Sequence, residues 1–139
     1  MIKIKNCVLF TLILSLVLIS GCTYGSYTTT GSIQISTLSK MSMSYKKFNG
    51  YKITELNIKE GEEYQVNVSI VSEEGKLGLT IALENDKKDR QDETIYKGSE
   101  LPTSDFKVTL DKPGKYLIKV TGENHKGKFN ITWDKVNEK

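Results

Sequence analysis

The stretch Tyr64-Gln65-Val66-Asn67-Val68-Ser69-Ile70 decides the fold. Apolar and polar residues alternate at every step. Strand side chains point to opposite faces in turn, so such a run has one apolar face and one wet face. The same period recurs on both sides of it. Upstream, Ile33 and Ile35 alternate with polar neighbours. Downstream come Leu77, Leu79, Ile81 and Leu83, then Phe106, Val108 and Leu110. Tyr116, Ile118 and Val120 follow, and then Phe129, Ile131 and Trp133. No convincing helical period competes with them. The pattern predicts an all-β chain folded as an antiparallel β-sandwich.

The breaks between runs carry turn chemistry. Lys59-Glu60-Gly61-Glu62, Glu73-Glu74-Gly75-Lys76, Asp111-Lys112-Pro113-Gly114 and the Gly122–Gly127 segment each read as a link between neighbouring antiparallel strands. Pro113 presets φ near −65° and Gly114 supplies a positive φ, the signature of a type II turn. Residues 84–104 are long, charged and poor in apolar side chains. They read as the main loop, with a short edge strand near Ile95.

The N-terminus has a different character. Lys3 and Lys5 precede an apolar run, Val8 to Ile19. A spanning helix needs about 20 apolar residues, so this run is too short to cross a bilayer and fits the core of a signal peptide. It closes on Leu18-Ile19-Ser20-Gly21-Cys22, which resembles the lipobox of bacterial lipoproteins. The resemblance implies a diacylglyceryl group on the Cys22 thiol and cleavage before it. The division that follows is a signal peptide at 1–21, a lipidated tether at 22–32 and a β-sandwich at 33–139. The tether reading rests on the small polar residues from Thr23 to Ser32. The mature protein is then expected at the extracytoplasmic face of the cell membrane. Cys7 leaves with the leader and Cys22 carries lipid, so the folded part has no disulfide.

From Gly50 to Trp133 the order of features is similar to the bacterial pre-peptidase C-terminal domain. The matching features are Tyr51–Ile58, Gly61, Tyr64–Val71, Leu77–Glu84 with Asn85-Asp86, Phe106–Leu110, Pro113-Gly114, Tyr116–Val120, Gly127, Phe129 and Ile131–Trp133. This resemblance implies a jelly-roll-like sandwich. It also implies an accessory or binding role, since members hang off secreted proteases and some hold collagen, polysaccharide or calcium. Here no protease precedes the domain, so the resemblance implies the scaffold without its usual context.

Composition narrows the chemistry. The formal charge is +3, and losing Lys3 and Lys5 brings it near +1. Lys and Glu are dispersed, unlike the strongly basic face of a nucleic-acid binder. His125 is the single histidine. It is read as a solvated turn residue with no partner, which leaves no base for a nucleophile and too few ligands for zinc. Glu84, Asn85, Asp86, Asp89, Asp92 and Glu93 gather in one loop, where Lys87, Lys88 and Arg90 oppose a cation. A solvated loop is the preferred reading, with Asp86, Asp89 and Asp92 the only calcium candidates. No cofactor is implied. Glu55 has no second strand carboxylate to work with, so no enzyme is expected.

Aromatic rings are the remaining candidates for binding. Tyr64, Tyr116, Phe129 and Trp133 fall on the apolar phase and are expected in the core. Tyr45, Phe48 and Tyr51 surround a basic, Gly-containing turn, and Tyr96 lies in the charged loop. These four are the expected ligand-binding residues, stacking on sugars or holding an apolar peptide. The competing reading is a hydrophobic staple over one end of the sandwich. The expected function is that of a membrane-anchored lipoprotein with a non-catalytic module for a polysaccharide or an envelope protein or peptide. The alternative is an immunity lipoprotein that intercepts an antimicrobial peptide or toxin. A third reading is a structural subunit of a membrane complex.

Replacing Cys22 by Ser in the full chain is expected to abolish labelling by radioactive palmitate and release from the leader. Wild-type chain that takes up no label and stays uncleaved would contradict the lipobox reading.

Overall fold

A computed structural model describes residues 23–85 and 91–136 of the chain. The signal-peptide segment, Cys22 and the calcium candidates Asp86 and Asp89 lie outside the described residues. The described chain forms β1 (Thr23–Thr30), β2 (Ile33–Thr37), β3 (Lys40–Ile58), β4 (Tyr64–Leu83), β5 (Glu93–Gly98), β6 (Ser104–Leu110) and β7 (Gly114–Lys135). Every pairing is antiparallel, in the order β1-β3-β7-β4-β5, with β2 also on β3 and β6 also on β4.

Three strands, β3, β4 and β7, run about 20 residues each and bend midway. Register breaks mark the bends: between Tyr45, Phe48 and Gly50 on β3, and between Ser72, Glu74 and Lys76 on β4. A β-bulge adds a residue to one strand, and one added residue moves the following side chains to the other phase. The burial pattern shows this shift three times. On β3 the buried positions are Met41, Met43 and Tyr45, then Phe48, Lys52, Thr54, Leu56 and Ile58. On β4 they are Val66, Val68 and Ile70, then Leu77, Leu79 and Ile81. On β7 they are Tyr116, Ile118 and Val120, then His125, Phe129, Ile131 and Trp133. Because of the phase change, one face of the sheet stays inward across the bend.

The bent sheet therefore closes on itself as a sandwich. Leaf one holds β1, 50–58, 114–122, 77–83 and β5. Leaf two holds β2, 40–45, 127–135, 64–72 and β6. Their inner faces share one apolar cluster. Burying each Leu, Ile, Val or Phe there contributes about 1.5–3 kcal/mol. On one side the leaves meet through Tyr96 of β5 and Phe106 of β6, with ring centroids 5.0 Å apart. On the other side Lys52 of leaf one reaches Gln34 of leaf two at 3.3 Å and lies 5.9 Å from the Tyr27 ring. Burial pushes the Lys52 amine below its usual range. Trp133 Nε1 donates to the Leu38 carbonyl at 2.9 Å and closes the far end of leaf two.

The structure confirms the antiparallel sandwich, the Lys59–Glu62 turn and the short strand near Ile95. It corrects three expectations. Glu73–Lys76 and Gly122–Gly127 are bends within β4 and β7, so the runs on either side are successive halves of one strand and not hairpin partners. Bulges and a positive φ at Gly75 redirect the backbone without reversing it. Third, residues 23–30 are not a tether. They form β1, which pairs with β3 from Thr23↔Thr54 to Thr30↔Lys47. Thr and Tyr favour strands, and this edge position needs few apolar side chains.

Gly127 is the tightest point of the bend. Its φ is +146, and a Cβ there would collide with the Val71 carbonyl oxygen of β4. Gly127→Ala is expected to cost at least about 3 kcal/mol in urea unfolding. Gly61→Ala, at φ +83 in open space, is expected to cost only about 1 kcal/mol. Equal losses would show that the bend tolerates a side chain.

Candidate ligand-binding face

The β3 bulge separates the expected binding residues. Tyr45 and Phe48 point inward and are 5% and 0% exposed, so they are core residues and not a binding surface. Their rings meet at a tilt with centroids 5.1 Å apart, and Phe48 also meets Tyr27 at 5.7 Å. Tyr96 is half-buried against Phe106. Only Tyr51 faces solvent. Asp92 accepts a hydrogen bond from the Asn85 backbone N–H at 3.0 Å, which ties the loop at its base. Among the described residues no group of three His, Cys, Asp or Glu side chains converges to hold a metal ion.

His125 is fully buried, which overturns its reading as a solvated turn residue. It stands at the bend between Tyr45 Oη, 2.6 Å from Nδ1, and Ser72 Oγ, 2.8 Å from Nε2. Ser72 Oγ also lies 2.8 Å from the Leu101 carbonyl oxygen. A carbonyl only accepts, so the Ser72 hydroxyl donates to it. Nε2–H must then donate to Ser72 Oγ, and Tyr45 O–H to Nδ1. The chain is closed and neutral, and it links β3, β7, β4 and the segment after β5. A catalytic base would instead take the serine proton. Here that proton points away from the imidazole.

The outer face of leaf one has a different character. Strand pairing places Tyr24, Ile53, Lys119, Thr80 and Lys97 in one row across five strands. Ser26, Tyr51, Thr121 and Gly78 form the next row towards the bend. Tyr24 is 47% exposed and Tyr51 36%. They are diagonal neighbours, roughly 7–8 Å apart at the backbone. Lys119 Nζ lies 4.9 Å from the centre of the Tyr51 ring. The second row runs into a cleft of about 470 Å³ bounded by Lys76, Gly78, Glu100, Thr121 and Glu123. Lys76 and Glu100 pair across it at 3.1 Å. The face thus combines exposed rings, hydroxyls, carboxylates and amines.

Leaf two carries a groove of about 440 Å³ on its own outer face, lined by Asn67, Ser69, Asp105, Lys107, Asn130 and Thr132. Its one ring, Phe106, packs against Tyr96. Of the two faces, leaf one offers the stacking surface.

Sequence reasoning named Tyr51 as a binding ring, though at a turn and not on this sheet face, and missed the rest. Tyr24 was placed in a tether. Ile53 and Leu117 gave the available signal, as apolar residues on the wet phase of their strands.

No protein-family model and no curated protein matches the chain. Among solved structures it is similar to the CBM22-1 xylan-binding domain of Paenibacillus barcinonensis Xyn10C, at 8% identity and TM-score 0.44, covering 86% of this chain and 98% of that one. It is also similar to the family 11 carbohydrate-binding module of the Clostridium thermocellum cellulase Lic26A-Cel5E, at 16% identity and TM-score 0.43, covering 80% and 83%. A third is the enzymatically active domain of bacteriophage CBA120 tailspike protein 4, at 10% identity and TM-score 0.46. That match covers 82% of this chain, which spans only 19% of the tailspike domain.

Burial holds the His125 imidazole below its ordinary value of 6.5. The unfolded chain takes up a proton near that pH while the folded chain does not. Stability is therefore expected to be level in this respect above about pH 7 and to fall as pH drops below 6.5. The slope is at most about 1.4 kcal/mol per pH unit. In urea melts His125→Gln should be less stable at pH 7 and lose that slope. A slope between pH 6.5 and 5 that survives the substitution would exclude His125 as its source.

Proposed function

We propose that the protein is a lipid-anchored, extracytoplasmic binding module that holds a polysaccharide on the outer face of leaf one and performs no chemistry on it. The observation that carries this reading is the pair Tyr24 and Tyr51, solvent-facing on one outer sheet surface and diagonal to each other. A pyranose ring has an apolar C–H face that stacks on such rings, and hydroxyls at its rim that need donors and acceptors. Ser26, Thr121, Thr80 and Glu123 supply them along the same rows and at the cleft. The rings cost nothing to present, since the core is complete without them.

The anchor is part of the same proposal. β1 begins at Thr23, the residue after Cys22. Lipid at Cys22 would hold this edge of leaf one close to the headgroups, and two acyl chains suffice to keep it there. The ligand would then be a polymer that reaches the membrane surface.

A second reading draws on β2. All five of its residues are exposed, with Ile33 at 72% and Ile35 at 48%, and Leu38 beside them at 70%. An edge strand with free backbone groups and apolar side chains can accept an extended peptide as a further strand. That would suit a protective lipoprotein that intercepts an antimicrobial peptide.

On a glycan array followed by calorimetry, Tyr51→Ala and Tyr24→Ala are each expected to weaken polysaccharide binding about tenfold. Thermal stability should stay unchanged, because both rings are exposed. Glycan binding that ignores both substitutions, or turnover of a bound glycan, would overturn the proposal. Peptide binding lost on Ile35→Lys would favour the second reading.

A further inference from the structure

The geometry points to an anionic polymer as the ligand of this face, an inference that rests on the polysaccharide reading above. Two cations stand on the Tyr24 row without a counter-charge. Lys119 and Lys97 make no ion pair among the described residues, although that face carries carboxylates. Most of those carboxylates are taken, and Glu123 stands apart at the cleft beyond the Thr121 row. Lys115 lies 3.3 Å from Glu55 and 3.2 Å from Glu84, and Lys76 holds Glu100. The amines of the central row are left for a ligand.

Their placement suits a chain laid across the strands. Lys119 and Lys97 flank Thr80 on adjacent strands. They are two strand spacings apart, roughly 10 Å, which is close to the length of one disaccharide. Tyr24 stands two spacings from Lys119 on the other side, with Ile53 between. An extended glycan along this row would meet a ring, then an amine, then a hydroxyl, then a second amine. A carboxylate or phosphate once per repeat would reach both cations. Lys119 is also held in place before any ligand arrives. Its ammonium lies over the Tyr51 ring, and this cation–π contact fixes the stem beside the stacking surface. An acidic substituent on a sugar stacked nearby finds the charge already oriented. A neutral sugar gains nothing from it.

The test uses the full-length, lipid-carrying protein in detergent, with polygalacturonate and its fully methyl-esterified form as matched probes and poly(glycerol phosphate) as a third. The acidic glycan should bind roughly tenfold tighter than its ester. That advantage should shrink as salt rises from about 0.05 M to about 0.5 M. It should vanish in Lys119→Gln/Lys97→Gln, while Tyr24→Ala weakens both glycans alike. Preference for poly(glycerol phosphate) over polygalacturonate, with the same lysine dependence, would support the anionic site and identify phosphate as its charge. Equal, tyrosine-dependent binding of acid and ester would overturn the anionic inference and leave the polysaccharide reading intact. No binding of any probe, or binding that ignores both tyrosines and lysines, would overturn both.

Discussion

Three strands cross from one leaf to the other without ending, and each must change phase as it crosses. The rest of the molecule depends on that constraint. With a regular ladder through the bend and this sequence, Phe48, Leu56 and Ile58 would turn outward, and half of the core would lie in water. The bulges supply the phase change, and glycines at positive φ supply the curvature. The buried chain from Tyr45 through His125 and Ser72 to Leu101 then fastens the bends together. A polar network in a core is tolerable only when every member is satisfied. Among the described residues no buried side-chain polar atom lacks a partner.

This division of labour explains why the outer faces are free to differ. Shape is set by the inner rows and by the bend. Nothing in the core requires Tyr24, Tyr51, Lys119 or Lys97, because each sits on the phase that the core does not use. One leaf presents rings beside amines and the other presents amides and hydroxyls. A sandwich of this kind can acquire a ligand by changing outward residues alone, with little cost in stability.

The strands were legible in the sequence because their two-residue period is strong and uninterrupted between bends. Even the phase change was visible, in the odd spacing from Ile70 to Leu77 and from Val120 to Phe129. Its meaning was harder to read. A charged, Gly-containing interruption is the mark of a hairpin turn and also of a bulge, and only the partner strand decides between them. Tyr45 and Phe48 were misplaced for the same reason, since the bulge between them turns both rings inward. His125 lies among Gly, Asn and Lys, which advertise a surface turn, and its partners are 80 and 53 positions away. β1 has almost no apolar signature, so only its pairing with β3 reveals it as a strand. Of the candidate site, Tyr51 was readable, while the row that joins it to Lys119 and Tyr24 exists only through strand register.

The first strand has a mechanical consequence. Its ladder to β3 begins at Thr23 and runs towards the bend for eight residues. A tug on residue 22 directed along this strand loads all of those backbone pairs at once, in shear, instead of peeling them one after another. Tension of that kind at one border would pass into β3 through the whole ladder. The domain would behave less like a buoy on a line than like a rivet set flush with its plate.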